Sequence, residues 1–194
     1  VDSGEIAGCI SILYKDGVQE VACLGYSDVD KKRPITLDDP FMQCSQTKGF
    51  CGVTIAKLIE EGKISLDDPV SKYLPEFKNP AYSISKRDAQ GKMHVTVHQT
   101  PITIRMCMNH TAGFPFELPN AQLMGGWSRR MPLRSVAATA NSQRVLFEPG
   151  KGVAYSNVGI DVGAAVVEAV TGMPWEEYLK KTVLEPLGMN NTTF

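Results

Sequence analysis

The longest apolar stretch of the chain is NVGIDVGAAVVEAVT, residues 157–171. Its apolar residues recur at helical spacing, and the residue that follows, Gly172, is typical of a helix end. Asp161 and Glu168 interrupt the stretch, so it does not supply the roughly 18 uncharged residues that a membrane helix needs. We therefore predict an apolar helix over residues 157–171 in a compact, soluble protein without a membrane span.

The charge balance of the chain is close to neutral. Its 194 residues include 20 Lys and Arg and 21 Asp and Glu, which gives a formal net charge of −1. Without a basic block, a nucleic-acid-binding surface is excluded as an interpretation. The hydrophobic fraction of 43% and the length predict a folded protein with a sizeable core that needs no metal or disulfide for stability.

The first part of the chain predicts a β-hairpin. Residues 8–14 and 18–25 are rich in β-branched and apolar side chains and flank a turn at Lys15-Asp16-Gly17. In the register of a turn made by all three residues, Cys9 and Cys23 face each other, which leaves a cross-strand disulfide open. The odd number of cysteines, five, cannot pair fully within one chain. The main interpretation is that most of the cysteines are buried free thiols.

Beyond residue 40 the spacing of apolar residues becomes helical. Helices are predicted from Ser45 to Gly62, within residues 102–113, over residues 133–140 and after Pro174. Residues 76–100 are polar and irregular, and we interpret them as a lid, an insertion or a mobile loop. Within them, His94 and His98 lack the further ligands of a zinc site and are interpreted as exposed loop histidines. The prediction is a hairpin and loop over residues 1–40 and a mainly helical region over residues 41–194.

Ser45 and Lys48 are three residues apart at the start of a predicted helix. Side chains at this spacing share one helix face, with about 5–6 Å between their Cβ atoms, so the amine can reach the hydroxyl. A serine needs a neighbouring base to act as a nucleophile, and the free N–H groups of a helix start stabilise a developing oxyanion. A Ser-x-x-Lys pattern fixes only two of four residues and therefore occurs often by chance. The spacing alone favours an ordinary helix start.

Four segments in a fixed order change this interpretation. They are CSQTKGFCGVTIAKLIEEGKISLDDPVSKYLPEF, ITIRMCMNHTAG, PGKGVAYSN and TVLEPLGMNNTTF. Together they resemble segments of the serine β-lactamase and penicillin-binding-protein-like hydrolases, especially the class C β-lactamase and esterase branch. The resemblance extends from about residue 8 to residue 194, with Ala112 where the family usually has serine. It implies an α+β, β-lactamase/transpeptidase-like fold in which the hairpin belongs to an antiparallel sheet.

The resemblance also implies roles for individual residues. Ser45 would be the acylated nucleophile and Lys48 its proton acceptor, with Tyr155 as a second base or acid. Asn157 would orient the substrate through its amide, and Gln46 would contribute to substrate binding. No cofactor and no metal are implied.

One motif of the family is missing from the sequence. The family carries Lys-Thr-Gly or His-Thr-Gly on a later strand, whereas the nearest match here, residues 110–113, belongs to an earlier segment. The resemblance therefore implies a partial domain, residues 1–194, with the remaining sheet strands absent. We expect activity to require the missing segment, in cis or on a second chain. Similar proteins are usually periplasmic or secreted, whereas free cysteines argue mildly against this, so the compartment stays open.

The sequence thus favours a serine hydrolase that forms an acyl-enzyme on an ester or an amide. Carboxylesterase, β-lactamase and D-amino-acid peptidase activities stay open, with a small ester, a β-lactam or a peptide as substrate. The alternatives are a non-catalytic binding module on the same scaffold and a fragment that is inactive alone. Phe114-Pro115-Phe116 and Trp127 are predicted to lie in loops, where they either line a substrate pocket or pack.

Overall fold

The computed structural model describes residues 1–78, 82–118, 131–142 and 144–194. The chain divides into two compact units, Val1–Cys44 and Ser45–Phe194. Trp127, one of the aromatic residues singled out from the sequence, lies outside the described residues.

The first unit is a three-stranded antiparallel sheet. Its strands are β1 (Gly8–Lys15), β2 (Val18–Asp28) and β3 (Arg33–Pro34), in the order β1-β2-β3. The predicted hairpin is therefore present. Exposed apolar side chains occupy both of its faces, with Ile12 and Val21 on one and Leu13 and Leu24 on the other. Strands that are apolar on both faces are typical of a sheet covered on both sides.

The register of the hairpin differs from the predicted one. Asp16 and Gly17 both have positive φ, 51° and 82°, so the turn is made by these two residues alone, as in a type I′ turn. Lys15 consequently pairs with Val18, and Cys9 lies opposite Leu24 instead of Cys23. A shift of one residue turns a side chain to the other face. Cys9 and Cys23 therefore point to opposite faces, both are free, and the disulfide alternative is wrong.

The second unit is mainly helical, as predicted. Its α-helices are α1 (Thr47–Glu60), α2 (Ile104–Met108), α3 (Leu133–Asn141), α4 (Asn157–Thr171) and α5 (Trp175–Leu179). One π-helical turn, Lys180–Leu184, continues α5, and short 3-10 turns occupy Cys44–Gln46, Val70–Lys72 and Pro75–Phe77.

Helix α4 lies in the core of this unit, where it packs against α1, α2, α3 and α5. Its bounds agree with the sequence prediction because both ends are locally encoded. The Ser156 hydroxyl accepts a hydrogen bond from the Gly159 N–H at 3.1 Å, and Gly172 ends the helix in the left-handed conformation, with φ of 70°. A side chain at position 159 would place its Cβ 2.9 Å from the Cys107 carbonyl oxygen, so the glycine permits close approach of α2.

Residues 76–100 are more ordered than predicted. They contain a second antiparallel hairpin, formed by β4 (Tyr82–Arg87) and β5 (Met93–His98). His94 and His98 therefore lie on a strand, and their interpretation as loop histidines is wrong. The Nε2 atom of His94 is 2.7 Å from the Asp88 carboxylate, and Nδ1 of His98 is 3.6 Å from that of Glu148.

The cysteines divide into buried and accessible ones. Cys51 and Cys107 are buried in the helical core, whereas Cys23 and Cys44 are exposed, so the prediction of mostly buried thiols holds for two of the five. Burial raises the pKa of the Cys51 thiol to about 12, which keeps it protonated. Over the described residues, no cluster of three metal-ligating side chains occurs, and no helix is long and apolar enough to cross a membrane.

Candidate active site

Ser45 and Lys48 meet at the beginning of α1. Ser45 lies in the 3-10 turn that leads into the helix, and Lys48 lies in the first helical turn. The Lys48 Nζ donates a hydrogen bond to the Ser45 Oγ at 3.2 Å. Ser45 is exposed and Lys48 is half-buried.

Tyr155 contacts Lys48 from the segment that leads into α4. It immediately precedes Ser156, the N-cap of α4, whose hydroxyl also donates a hydrogen bond to the Pro115 carbonyl at 2.7 Å. These contacts fix the backbone next to Tyr155. The Lys48 Nζ lies 4.8 Å from the centre of the Tyr155 ring. The structure therefore brings Ser45, Lys48 and Tyr155 together from two separate helix starts.

The electrostatics of this group lower the pKa of Tyr155. Hydrogen bonding with Ser45, and then with Lys48, lowers the pKa of the phenol, and the positive charge of Lys48 acts in the same direction. Burial works against them but is outweighed. A phenol with a lowered pKa beside a hydroxyl and an ammonium group can accept or return a proton.

Asn157 and Gln46 lie beside this group but in different settings. Asn157 is the first residue of α4, and its Nδ2 donates a hydrogen bond to the Glu117 carboxylate at 3.3 Å. Gln46 is exposed at the N-cap of α1, and its side chain makes no capping hydrogen bond. The contact with Glu117 was not foreseen, since nothing in the spacing of these residues indicates it.

Two further side chains pack against Tyr155. The His110 ring lies with its centre 4.7 Å from that of Tyr155, at an angle of 46° between the planes, and the Phe116 ring stacks at 6.0 Å. Burial, with a smaller effect of the Lys48 charge, lowers the pKa of His110. Of the aromatic run singled out from the sequence, Phe114 is buried and Phe116 is half-exposed beside Tyr155.

Comparison with known proteins identifies the family of this chain. Residues 1–194 match the family described as Beta-lactamase. The chain belongs to the beta-lactamase family. The resemblance inferred from the four ordered segments is thereby confirmed.

Two curated relatives in this family illustrate the relationship. Protein flp of Staphylococcus aureus is 29% identical over 195 residues, which cover 100% of this chain and 36% of the relative. Penicillin-binding protein 4* of Bacillus subtilis is 28% identical over 176 residues, which cover 87% of this chain and 33% of the relative. The chain thus spans about a third of the length of the curated relatives it matches.

Among solved structures, EstCE1 is described as a hydrolase with promiscuous acyltransferase activity. It superposes with a TM-score of 0.79 at 30% identity, over 96% of this chain and 48% of that one. The predicted α+β, β-lactamase/transpeptidase-like fold is confirmed by this similarity, with the chain covering about half of the neighbour.

Proposed function

We propose that this chain carries the nucleophile side of a serine hydrolase active site that works by acyl transfer. The observation that carries the proposal is the 3.2 Å hydrogen bond between Lys48 Nζ and Ser45 Oγ, with Tyr155 against the same amine. A lone serine hydroxyl is a weak nucleophile, and adjacent proton acceptors are the usual means of activating it. Ser45 is then the nucleophile, and Lys48 and Tyr155 are its bases.

The reaction would proceed in two steps. The Ser45 Oγ attacks the carbonyl carbon of an ester while its proton passes to the Lys48–Tyr155 pair, and the carbonyl oxygen becomes an oxyanion near the start of α1. The tetrahedral intermediate collapses, the carbon–oxygen bond to the alcohol breaks, and the alcohol leaves with that proton. Water then attacks the acyl-enzyme by the same route, which releases the acid and restores the Ser45 hydroxyl.

Esters are the substrate class we propose first. EstCE1, at 30% identity, is described as a hydrolase with promiscuous acyltransferase activity. The penicillin-binding protein among the relatives makes a β-lactam a second substrate to test, and a D-amino-acid peptide a third. In each case Asn157 would present its amide to the substrate and Gln46 would line the site, both as substrate-binding groups.

A complete site would include residues outside these 194. The chain spans about a third of its curated relatives, and its sequence has no Lys-Thr-Gly motif of the kind found in the family. We propose that this segment, in cis or on a second chain, supplies further oxyanion and substrate contacts. Full activity then belongs to the longer assembly, residues 1–194 being a partial domain.

The test is covalent labelling with a fluorophosphonate, a reagent that phosphonylates activated serines. Intact mass should show one adduct on the wild-type protein and none on Ser45→Ala. Ser142→Ala is the matched control, because Ser142 is also exposed at a helix end and its hydroxyl donates a hydrogen bond to the Thr139 carbonyl.

Labelling must be measured both on the 194-residue chain and on a chain extended beyond Phe194. Labelling of Ser45 in either chain supports the proposal, and faster labelling of the longer chain supports completion by further residues. If neither chain is labelled although both are folded, the hydrolase proposal is wrong, and a non-catalytic binding module on the same scaffold takes its place.

A further inference from the structure

His110 contacts the backbone on both sides of Tyr155. Its carbonyl oxygen accepts a hydrogen bond from the Ala154 N–H at 3.0 Å. Its ring Nδ1 accepts one from the Ser156 N–H at 3.2 Å. The ring itself packs on the Tyr155 ring, with 4.7 Å between the centres. His110 therefore contacts Ala154, Ser156 and the Tyr155 ring that lies between them.

The backbone of His110 is adapted to this double contact. Its φ is 65°, in the left-handed region, where a residue other than glycine is uncommon. His110 follows α2. In its left-handed conformation, both its carbonyl oxygen and its imidazole face residues 154–156. Strained backbone that persists at one residue is often found where surrounding contacts require it.

The hydrogen bond from Ser156 also defines the state of the ring. A nitrogen that accepts a hydrogen bond from a backbone N–H carries no proton, so the proton of the neutral imidazole lies on Nε2. Burial and the nearby Lys48 ammonium lower the pKa of His110, which agrees with a neutral ring. A second positive charge beside Lys48 is thereby avoided.

We propose that His110 is a positioning residue that holds the Tyr155 phenol beside Ser45 and Lys48 by clamping the backbone around it. The proposal rests on the proposed function, in which Tyr155 takes part in proton transfer. The imidazole does not contact Ser45 in this role and is not itself the base. The clamp works because the Ser156 N–H has a neutral acceptor, so any acceptor at that position should replace the ring nitrogen.

Two substitutions separate the acceptor from the ring. In His110→Asn the Oδ1 is bonded to the same carbon position as Nδ1 and can accept from the Ser156 N–H, and asparagine tolerates positive φ. In His110→Ala both the acceptor and the ring are lost. We expect His110→Asn to label with fluorophosphonate within about threefold of wild type, and His110→Ala to label about 10- to 100-fold more slowly.

A second readout does not depend on activity. Nuclear magnetic resonance of ¹³C-labelled tyrosine follows the titration of Tyr155, with its signal assigned by Tyr155→Phe. We expect the titration midpoint to lie below that of free tyrosine in wild type and His110→Asn, and to rise in His110→Ala. The ¹⁵N shifts of the wild-type imidazole, assigned by their absence from His110→Asn, should show the proton on Nε2, and the tautomer is read from the wild-type protein itself.

The outcomes distinguish the clamp from the hydrolase. If Ser45 is never labelled but the Nε2–H form and the rise in the Tyr155 titration are observed, the proposed function fails and the clamp stands. If Ser45 is labelled but His110→Ala matches wild type in both rate and titration, the clamp is overturned. A wild-type imidazole with its proton on Nδ1 also overturns it, as does a His110→Asn variant that is as slow as His110→Ala.

Discussion

The Lys48 amine, in the first turn of α1, and the Ser45 hydroxyl, in the 3-10 turn before it, are joined by a 3.2 Å hydrogen bond. Replacing Lys48 by Ala removes the amine that contacts the Ser45 oxygen. We expect fluorophosphonate labelling of Ser45 to slow by at least about 100-fold, the usual range for loss of a general base. Lys57→Ala, which removes a half-buried lysine of the same helix that pairs with Glu60, serves as the control. Equal rates for both variants would remove Lys48 from the mechanism.

Tyr155 predicts a particular pH dependence. Because hydrogen bonding with Ser45 and Lys48 lowers the pKa of the phenol, its phenolate forms at lower pH than that of free tyrosine. The labelling rate of the wild type should therefore rise with pH through this lowered pKa and then level off. Tyr155→Phe keeps the ring and should lose both that rise and about 100-fold in rate at the plateau. Tyr14→Phe, at an exposed tyrosine of β1, should reproduce the wild-type profile.

The hydrogen bonds of Asp68 predict that the helical unit loses stability in acid. Its carboxylate accepts hydrogen bonds from Tyr73, from Lys72 and from the Ser65 N–H, which together lower its pKa to about 2. The folded state holds this carboxylate ionised below the ordinary carboxyl pKa, so its stabilisation is present above about pH 4 and is lost as the pH falls towards 2. Chemical denaturation at a series of pH values should show this loss in wild type and a smaller one in Asp68→Asn.

The neighbouring carboxylate provides the comparison for Asp68 at neutral pH. Asp67 forms an exposed ion pair with Arg105, at 2.7 Å, and such surface pairs contribute little to stability. We expect Asp68→Ala to lower the free energy of unfolding by about 1–3 kcal/mol and Asp67→Ala to lower it by clearly less. The reverse order would show that the Tyr73–Asp68–Lys72 network does not stabilise the fold.

The space around Gly113 is too small for a Cβ atom. Its φ is 83°, and a Cβ at this position would lie 2.6 Å from the Phe147 carbonyl oxygen. Gly62 has a similar φ of 67° with open space around it, so it measures the conformational cost alone, about 1–2 kcal/mol for Gly→Ala. We expect Gly113→Ala to lose at least about 1 kcal/mol more than Gly62→Ala in thermal or urea unfolding. Equal losses would mean that residues 113 and 147 move apart without cost.

Elements with local signals could be predicted from the sequence. Helix α4 was predicted over 157–171 because Gly172 and the apolar spacing are local to it. The first hairpin was predicted, but its register was not. The register depends on the positive φ of Asp16, which the residue type alone does not determine. The β4–β5 hairpin was missed although β5 carries a strand signal, since Met93, Val95 and Val97 alternate with polar residues. The polar residues of β4, Ser83, Ser85 and Lys86, favoured the interpretation as a loop.

The candidate site shows the same division. The Ser45–Lys48 contact follows from helical spacing, so the sequence predicts it directly. The approach of Tyr155 depends on tertiary packing, and only the family resemblance indicated it. The ring of His110 and its hydrogen bond to Ser156 depend on a left-handed backbone after α2, and the residue types alone cannot predict that conformation.

Ser156 has one further consequence for the behaviour of the protein on heating. Its hydroxyl caps α4 and binds the Pro115 carbonyl, while its N–H binds His110, so the first turn of α4 and the surroundings of Tyr155 form one hydrogen-bonded assembly. Segments with many buried contacts open at higher free energy than exposed ones. This turn is buried at Ser156 and Val158, so it opens only together with the core around it. The upper working temperature of the site is then the temperature at which the helical core melts.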